Sequence, residues 1–415
     1  MPSDKELRPF PQDWMAAGPA RAVYDALDQA GGVPRFVGGC VRDGLLDRPI
    51  KDIDIATVLP PNAVIAAAKA ADLKSVPTGI EHGTVTVVAD HVGIEVTTLR
   101  HDVETFGRHA TVAFTDDFQA DASRRDLTIN ALFADLSGAI YDYFGGLDDL
   151  KAGRVRFVGK PEDRMAEDYL RILRFFRFHA DYAAGDFDAP AMQAAAALKD
   201  QLRSLSGERL RQETLKLMTA RRAVETWRAM MLAGIAGAYL PQATGINRLV
   251  KLIALEQSER VPPDPIRRLA ALTITGSGHQ VASILKLSNA ERDRLVALTE
   301  PRPIFAVADA RAVRRQVYDL GNAIALDLLM MDWAAGLPRE SVESDWRQAR
   351  AIVRDWQRPE FPLTGGDAKN LGVAPGPEIG ALMRGLEEWW IAGDFGADRA
   401  YSLAELKRRI GKGGR

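Results

Sequence analysis

Two adjacent glycines followed by an arginine are the first residues that could bind a ligand: Gly38, Gly39 and Arg42. Because glycine has no side chain, its backbone N–H groups can approach a phosphate closely. Arg42 would add a charged hydrogen-bond donor to the same phosphate. A glycine pair also makes ordinary turns, so this pattern alone does not decide between a turn and a phosphate site.

Two aspartates, Asp52 and Asp54, follow these glycines and are preceded by Lys51. They alternate along a strand predicted over residues 53–57, so both carboxylates face the same side. Mg²⁺ prefers such oxygen ligands, completed by phosphate and water, and Lys51 adds positive charge. An acidic strand end is the alternative. The glycine pair and the two aspartates lie in this order within seventeen residues, which favours a site for phosphate and Mg²⁺.

A second charged group, Arg124-Arg125-Asp126, leads directly into an apolar stretch at residues 127–136. Adjacent arginines beside an aspartate usually form a solvated cluster. Here the charges stand at the edge of a predicted core. Arg125 could therefore contact a nucleotide, and Asp126 could accept a hydrogen bond from a ribose hydroxyl. The spacing leaves both interpretations open.

A long helix is predicted over residues 161–181, and Asp168 and Arg171 are i,i+3 neighbours on it. An exposed helix pair of this kind contributes only a few tenths of a kcal/mol, roughly 0.3. The pair is surrounded by apolar residues, which predicts a mostly buried helix. A buried carboxylate and guanidinium require a specific reason to be there.

Base recognition would provide that reason. Cytosine and adenine each present a donating amino group beside an accepting ring nitrogen. Guanine and uracil present an acceptor at the first of these positions and a donor at the second. The Asp168 acceptor beside the Arg171 donor would match C and A, and a missed buried hydrogen bond would reject G and U. On a continuous helix Arg174 lies about 120° from Asp168 and Arg177 about 180°. Those two arginines are therefore expected to reach phosphate, sugar or RNA from the flanks.

The segment 206–209, Ser-Gly-Glu-Arg, is interpreted mainly as the start of a helix that supports the helix of Asp168.

The elements that must position these residues change character along the chain. The first 150 residues predict a mixed α/β head with helices over 20–30 and 61–71, strands over 35–37, 53–57, 84–88 and 92–99, and a strand with a turn over 138–146. After Gly153 only helical patterns follow, among them 190–205, 208–220, 223–233 and 378–391. A turn-rich stretch is predicted over 362–377, and the basic end over 407–415 is expected to fray. The order favours an α+β head followed by an all-α remainder.

The composition is that of an ordinary globular protein, with 415 residues, 47% of them apolar and 27% charged. It offers neither a membrane-spanning run nor a signal-like start. A single cysteine, Cys40, excludes an intrachain disulfide framework, and six scattered histidines argue against a His/Cys metal site. These features predict a cytoplasmic protein with no membrane partner.

The net charge of the whole chain, −2, argues against a nucleic-acid partner. The charge is, however, unevenly distributed along the chain. Residues 1–150 carry −10, and residues 151–415 carry +8. This asymmetry indicates two separate roles, and a nearly neutral chain can still bind RNA through a local basic face.

The motifs at 38–43, 52–54, 124–130, 167–174 and 206–209 resemble, in order and content, those of class II CCA-adding tRNA nucleotidyltransferases. That group also contains the bacterial poly(A) polymerases. The resemblance implies a polymerase-β-like head over 1–150, a helical neck over 151–222, a body over 223–300 and a tRNA-binding tail over 301–415. It also implies Mg²⁺ on Asp52 and Asp54, with Glu95 as a candidate third carboxylate.

Each group of residues receives a role by the same resemblance. The implied nucleotide contacts are Gly38, Gly39, Arg42 and Lys51 for the triphosphate, Arg125 and Asp126 for the rest of the nucleotide, and Asp168 and Arg171 for the base, with Arg174 and Arg177 nearby.

The implied reaction is addition of C, C and A to the 3′ end of tRNA from CTP and ATP. The polar stretch at 100–123 has the bulk of a loop that CC-only enzymes of the family lack, which favours full CCA addition. A poly(A) polymerase or a partial CC-only or A-only enzyme remains the alternative.

A non-catalytic RNA-binding module is disfavoured by the intact Asp52 and Asp54. A nucleotidyltransferase acting on protein or antibiotic is disfavoured by the Asp168 and Arg171 pair. The sequence does not predict the oligomeric state.

Overall fold

The first part of the chain builds a mixed sheet, because β-branched and aromatic residues recur along its short strands. The computed structural model describes residues 7–106 and 109–413. Its strands are β1 (Arg35–Val37), β2 (Asp54–Thr57), β3 (Lys74–Gly79), β4 (Thr84–Ala89), β5 (Val92–Thr98), β6 (Arg100–Phe106), β7 (His109–Phe114), β8 (Leu132–Ala134) and β9 (Ile140–Asp142).

Seven of these strands form one sheet in the order β3-β4-β5-β2-β1-β8-β9, and β6 pairs with β7 separately. Strands β2 and β5 run parallel, with Asp54 opposite Glu95. The other adjacent pairs of the sheet run antiparallel. The parallel pair therefore places two acidic residues side by side at one position of the sheet.

Six helices accompany the strands, and two of them, α2 and α4, pack against β4. They are α1 (Asp13–Ala16), α2 (Gly18–Gln29), α3 (Gly39–Leu45), α4 (Pro61–Ala70), α5 (Phe118–Ser123) and α6 (Gly146–Ala152). The side chains of β4 alternate between buried and partly exposed. Its apolar face therefore supplies part of the core.

Helices alone follow, as the sequence predicts. They are α7 (Pro161–Glu167), α8 (Leu170–Tyr182), α9 (Ala189–Leu198), α10 (Gly207–Thr219), α11 (Ala223–Leu232), α12 (Ile235–Tyr239), α13 (Ile246–Ser258), α14 (Pro265–Leu272), α15 (Gly278–Ile284), α16 (Asn289–Thr299), α17 (Ala310–Leu320), α18 (Asn322–Ala335), α19 (Glu343–Asp355), α20 (Gly365–Asn370), α21 (Pro377–Ala392) and α22 (Arg399–Gly413). The short 3-10 turns are Ile80–His82, Thr128–Asn130 and Lys199–Ser204. The predicted α+β head followed by an all-α remainder is thus confirmed.

The chain divides into two compact units. The first runs to Thr244 and includes Ser283–Leu287, and the second comprises Gly245–Ala282 and the chain from Ser288 onward. In the second unit, the buried Arg267 pairs with Glu256 and Asp327, and Arg294 also pairs with Asp327. Within the described residues no helix is long and apolar enough to cross a membrane. The four-part division at 150, 222 and 300 stays a prediction.

The helix predicted over 161–181 is in fact two helices. The backbone of Asp168 is extended, with φ −153° and ψ 106°, so α7 ends before it and α8 begins after it. One oxygen of Asp168 accepts a hydrogen bond from the Leu170 N–H at 3.1 Å, which satisfies a donor at the start of α8. A single continuous helix was therefore the wrong prediction.

Several smaller predictions were also wrong. The turn-rich stretch over 362–377 contains α20, whose start is closed by a reciprocal cap between Thr364 and Asp367. The basic end is helical through Gly413 rather than frayed. Strands β3 and β8 have no counterpart in the prediction. The stretch over 100–123 is a separate case, because it contains β6, β7 and α5 while Gly107 and Arg108 lie outside the described residues, and the predicted loop stays a prediction.

Candidate active site

One pocket of about 580 Å³ in the first unit is lined by every residue in the predicted metal and nucleotide set except Lys51 and Glu95. Those lining residues are Gly38, Gly39, Arg42, Asp52, Asp54, Arg125, Asp126, Asp168, Arg171, Arg174 and Arg177. Three further residues, Arg124, Asn130 and Phe178, also line it and were not predicted. Four separate motifs therefore meet at one place.

The glycine pair forms the turn from β1 into α3. Gly38 has φ +73° and ψ −118°, a conformation that favours glycine. A Cβ there would lie 3.4 Å from Nη1 of Arg125, so the missing side chain also lets that arginine approach. Both glycines line the pocket, and the Gly38 N–H donates to the carbonyl oxygen of Leu132 at 3.1 Å.

Arg42 is fixed in the pocket wall although it carries a charge. Its side chain is buried and donates to both carboxylate oxygens of Asp43, at 3.0 and 2.8 Å, and to Oδ1 of Asn130. Its guanidinium also lies 4.2 Å from the centre of the Tyr182 ring. These contacts hold the charge in place before any ligand arrives, which lowers the entropic cost of binding.

The carboxylates of Asp52 and Glu95 lie close enough to Asp54 to raise its pKa. Burial, followed by the charge of Glu95, raises the pKa of Asp54 to about 6, and Asp52 adds to this effect. Arg125 opposes the shift. Strand β2 begins at Asp54, so Asp52 lies in the segment before the strand and not within it. Crowded negative charge of this kind favours a cation.

No group of three or more histidine, cysteine, aspartate or glutamate residues is arranged as a metal site in residues 7–106 and 109–413. Mg²⁺ is commonly held by one or two carboxylates together with phosphate oxygens and water. Asp52 and Asp54 fit that smaller requirement, since both line the same pocket.

The two adjacent arginines are oriented by a carboxylate that the sequence analysis missed. Asp121, within α5, is 1% exposed and pairs with Nη2 of Arg124 at 2.6 Å and with Nη2 of Arg125 at 3.0 Å. Burial acts to raise the pKa of Asp121, but the two arginines lower it below its ordinary value. A buried, ionised Asp121 therefore positions Arg125 beside Gly38.

Asp126 is a buried structural carboxylate rather than part of a solvated cluster. Its Oδ1 accepts from the Leu127 N–H at 2.9 Å and from Nδ2 of Asn130 at 3.1 Å, and its Oδ2 accepts from Nε and Nη2 of Arg174 at 2.7 and 2.6 Å. Against the effect of burial, Arg174 and Asn130 lower the pKa of Asp126 to about 2. These four donors match the acceptor capacity of a carboxylate. A ribose hydroxyl would have to displace one of them, so we expect Asp126 to act through Arg174.

Asp168 and Arg171 both line the pocket but are not paired with each other as a helix pair. Asp168 accepts from Nη2 of Arg209 at 2.6 Å, and Arg171 pairs with Glu167. Glu167 also pairs with Arg164 at 2.8 Å. The prediction that the 206–209 segment supports this region agrees with the Arg209 contact.

Arg174 and Arg177 line the same pocket as Asp168, contrary to the angles predicted for one continuous helix. The break at Asp168 explains the difference, because that residue does not follow the rotation of α8. Arg177 is held by Glu213 of α10 and lies 4.1 Å from the centre of the Phe178 ring. The pocket is therefore closed on one side by α8, which α10 supports.

Comparison with known proteins gives matches along nearly the whole chain. The family described as "Poly A polymerase head domain" matches residues 34–156, and "Probable RNA and SrmB- binding site of polymerase A" matches residues 186–246. The chain is 32% identical to mouse "CCA tRNA nucleotidyltransferase 1, mitochondrial" over 388 residues, 90% of this chain and 86% of that one.

A bacterial relative and a solved structure agree with this match. The chain is 32% identical to the "CCA-adding enzyme" of Streptococcus pyogenes over 416 residues, covering 97% of this chain and 99% of the relative. The crystal structure of the Bacillus stearothermophilus CCA-adding enzyme in complex with CTP matches with a TM-score of 0.73 and 26% identity, over 97% of this chain and 99% of that one.

Asn130 provides a test of the pocket geometry, because it bridges Arg42 and Asp126. Asn130→Ala should weaken binding of CTP, the nucleotide that the sequence analysis predicts, about tenfold, the effect of losing roughly one hydrogen bond to a charged group. Isothermal titration calorimetry would measure this. Asn62→Ala, at an exposed position of α4, is the matched control. Equal CTP affinity in the two variants would contradict a binding role for this network.

Proposed function

The chain belongs to the family of CCA-adding tRNA nucleotidyltransferases, and we propose that it adds C, C and A to the 3′ end of tRNA from CTP and ATP. The observation that carries this proposal is that the glycine turn, the acidic pair and the arginines of α8 line one pocket of about 580 Å³. In the reaction, the 3′ hydroxyl oxygen bonds to the α-phosphorus and loses its proton. The bond from that phosphorus to the bridging oxygen breaks, and its electron pair leaves with pyrophosphate.

We propose that Asp52 and Asp54 hold Mg²⁺ and that Glu95 is the third carboxylate of the site. Support comes from the register of β2 and β5, which places Glu95 beside Asp54, and from the raised pKa of Asp54. Bound there, Mg²⁺ would supply positive charge to the reacting phosphate and acidify the attacking hydroxyl.

The triphosphate is proposed to lie along the glycine turn. The Gly38 N–H already donates to the carbonyl oxygen of Leu132 at 3.1 Å, so the N–H of Gly39, at the start of α3, is the one proposed to meet a phosphate. Arg42 is already fixed by Asp43 and Asn130. Lys51 supplies a further positive charge near the acidic pair. Arg125, positioned by Asp121, faces the same turn at Gly38. Positioning of this kind is most of what a phosphoryl-transfer enzyme must provide.

Asp168 and Arg171 are proposed to read the base, because each keeps unused hydrogen-bonding positions. Asp168 accepts one bond at each oxygen, from Leu170 and Arg209, which leaves an acceptor position free on each. Nε of Arg171 has no bond among the described contacts. An acceptor and a donor side by side complement the hydrogen-bonding groups of cytosine and adenine but not those of uracil and guanine.

A cytoplasmic location is also proposed. Its support is the single cysteine, Cys40, which is buried, and the absence from the sequence of a disulfide framework. The division into head, neck, body and tail at residues 150, 222 and 300 stands as a proposal of the same kind.

A gel assay tests the function directly. With tRNA that ends before CCA, CTP alone should add two residues, ATP alone should add none, and both together should complete CCA. A long adenosine tail with ATP alone would indicate a poly(A) polymerase. Addition that stops after CC when both nucleotides are present would indicate a partial enzyme.

The proposed metal ligands are tested by Asp54→Asn, which keeps the shape of the side chain and removes its charge. We expect incorporation of CTP to fall about a thousandfold, because the charge that stabilises the reacting phosphate is lost. Single-turnover rates at saturating Mg²⁺ would measure it. Asp28→Asn, on an exposed position of α2, should leave the rate unchanged. A near-normal rate in Asp54→Asn would remove this residue from the catalytic site.

Base selection is tested by Arg171→Ala. Discrimination against UTP and GTP should fall about tenfold to a hundredfold, because the donor that opposes those bases is lost. The measured quantity is the ratio of kcat/KM for CTP and for UTP. Arg228→Ala, at an exposed position of α11, serves as the control. If Arg171→Ala slows all nucleotides equally, the residue contributes to binding and not to selection.

A further inference from the structure

Phe178 lines the nucleotide pocket, and the proposed function leaves it without a role. Its side chain is 5% exposed, and its ring stacks on that of Tyr182, four residues further along α8. The ring centres are 5.6 Å apart, and the planes are inclined by 26°. Residues four apart lie on the same face of a helix. The two rings therefore form a short aromatic row on the side of α8 that borders the pocket.

Three guanidinium groups converge on the Phe178 ring. Their distances from its centre are 4.1 Å for Arg177, 5.2 Å for Arg42 and 5.3 Å for Arg174. Two of these arginines belong to α8, whereas Arg42 comes from α3 and also lies over the Tyr182 ring. A cation within about 6 Å of the centre of an aromatic ring is attracted by the negative face of that ring. One ring thus attracts charged groups from two helices that both border the pocket.

The same three arginines are also held by carboxylates, through their N–H groups. The pairs are Arg42 with Asp43, Arg174 with Asp126 and Arg177 with Glu213. Each such bond occupies a donor that a nucleotide could otherwise use. An aromatic ring attracts the charge without accepting conventional hydrogen bonds, so it leaves the remaining N–H donors to the pocket. A carboxylate at position 178 would instead compete with an anionic ligand for those donors.

We propose that Phe178 is a positioning residue for the nucleotide. Its ring holds Arg42, Arg174 and Arg177 at the pocket and keeps their remaining N–H donors available to the ligand. The ring acts through the arginines and not on the reacting atoms. Loss of its negative face should therefore raise the KM for CTP more than it lowers kcat. This inference rests on the proposed function.

Fluorination of one ring separates the charge distribution of Phe178 from its shape. In the full chain, Phe178 is replaced by phenylalanine that carries one, two or three ring fluorines, because each fluorine withdraws charge from the ring face and changes the volume little. The affinity for CTP, measured by calorimetry, should fall stepwise to about tenfold with three fluorines, since weak contacts to three arginines are lost together. The KM for CTP in tRNA extension should rise similarly, with kcat nearly unchanged.

Phe175 gives the matched control, because it lies on the same helix, is fully buried and packs among aromatic rings, those of Phe157, Phe176 and Phe187. The same fluorinated series at Phe175 should leave the affinity for CTP unchanged. Phe178→Leu keeps an apolar side chain and removes the ring, so it should bind CTP about as weakly as the variant with three fluorines.

Equal CTP affinity along the Phe178 series, beside weakened binding in Phe178→Leu, would show that the ring only fills space and would overturn the proposal. An equal fall in both series would also overturn it, since that result reflects the packing of α8. Failure of the proposed function is distinguishable, because only that failure abolishes tRNA extension by the unaltered chain, and it would remove this inference as well.

Discussion

The buried carboxylate of Asp126 is the connection on which the pocket depends. It accepts hydrogen bonds from Asn130 and from Arg174, and Asn130 in turn accepts one from Arg42. One chain of contacts thus runs from α3, through the 3-10 turn at Thr128–Asn130, to α8. Removing one partner of a buried charge pair costs about 3–5 kcal/mol. Asp126 therefore helps to hold the glycine turn and α8 in one arrangement, together with the direct hydrogen bond from Tyr182 of α8 to Asp43 of α3.

The fold was predictable wherever the pattern was regular. β4 and β5 alternate buried and exposed side chains, and both were predicted. β3 was missed because it is largely exposed and contains Pro77, so it shows no alternation. β8 was missed for the opposite reason, since its three residues are all buried and too few to show a period. In each case pairing with a neighbouring strand supplies what the local sequence lacks.

The sequence predicted which residues line the site but not which contacts hold them in place. Residue types and spacing identified the glycines, the acidic pair and the arginines that line the pocket. The partners that orient them, such as Asp121 and Asn130, were not identified, because a hydrogen bond between distant segments leaves no periodic signal. The break at Asp168 was missed similarly. Apolar residues continue across it, and its cause is a capping bond to Leu170 together with the contact to Arg209.

The pairing of Arg171 with Glu167 has a consequence for recognition. In the resting protein Glu167 already binds Arg171 and Arg164. A base that engages Arg171 must either share this guanidinium or compete with an internal anion for it. Under the proposed role of Arg171, Glu167 would compete with a nucleobase for Nη1 of that arginine and would yield only to a base that binds it more strongly. If Arg171 reads the base as proposed, part of the selectivity would already be set by contacts within the protein before a nucleotide binds.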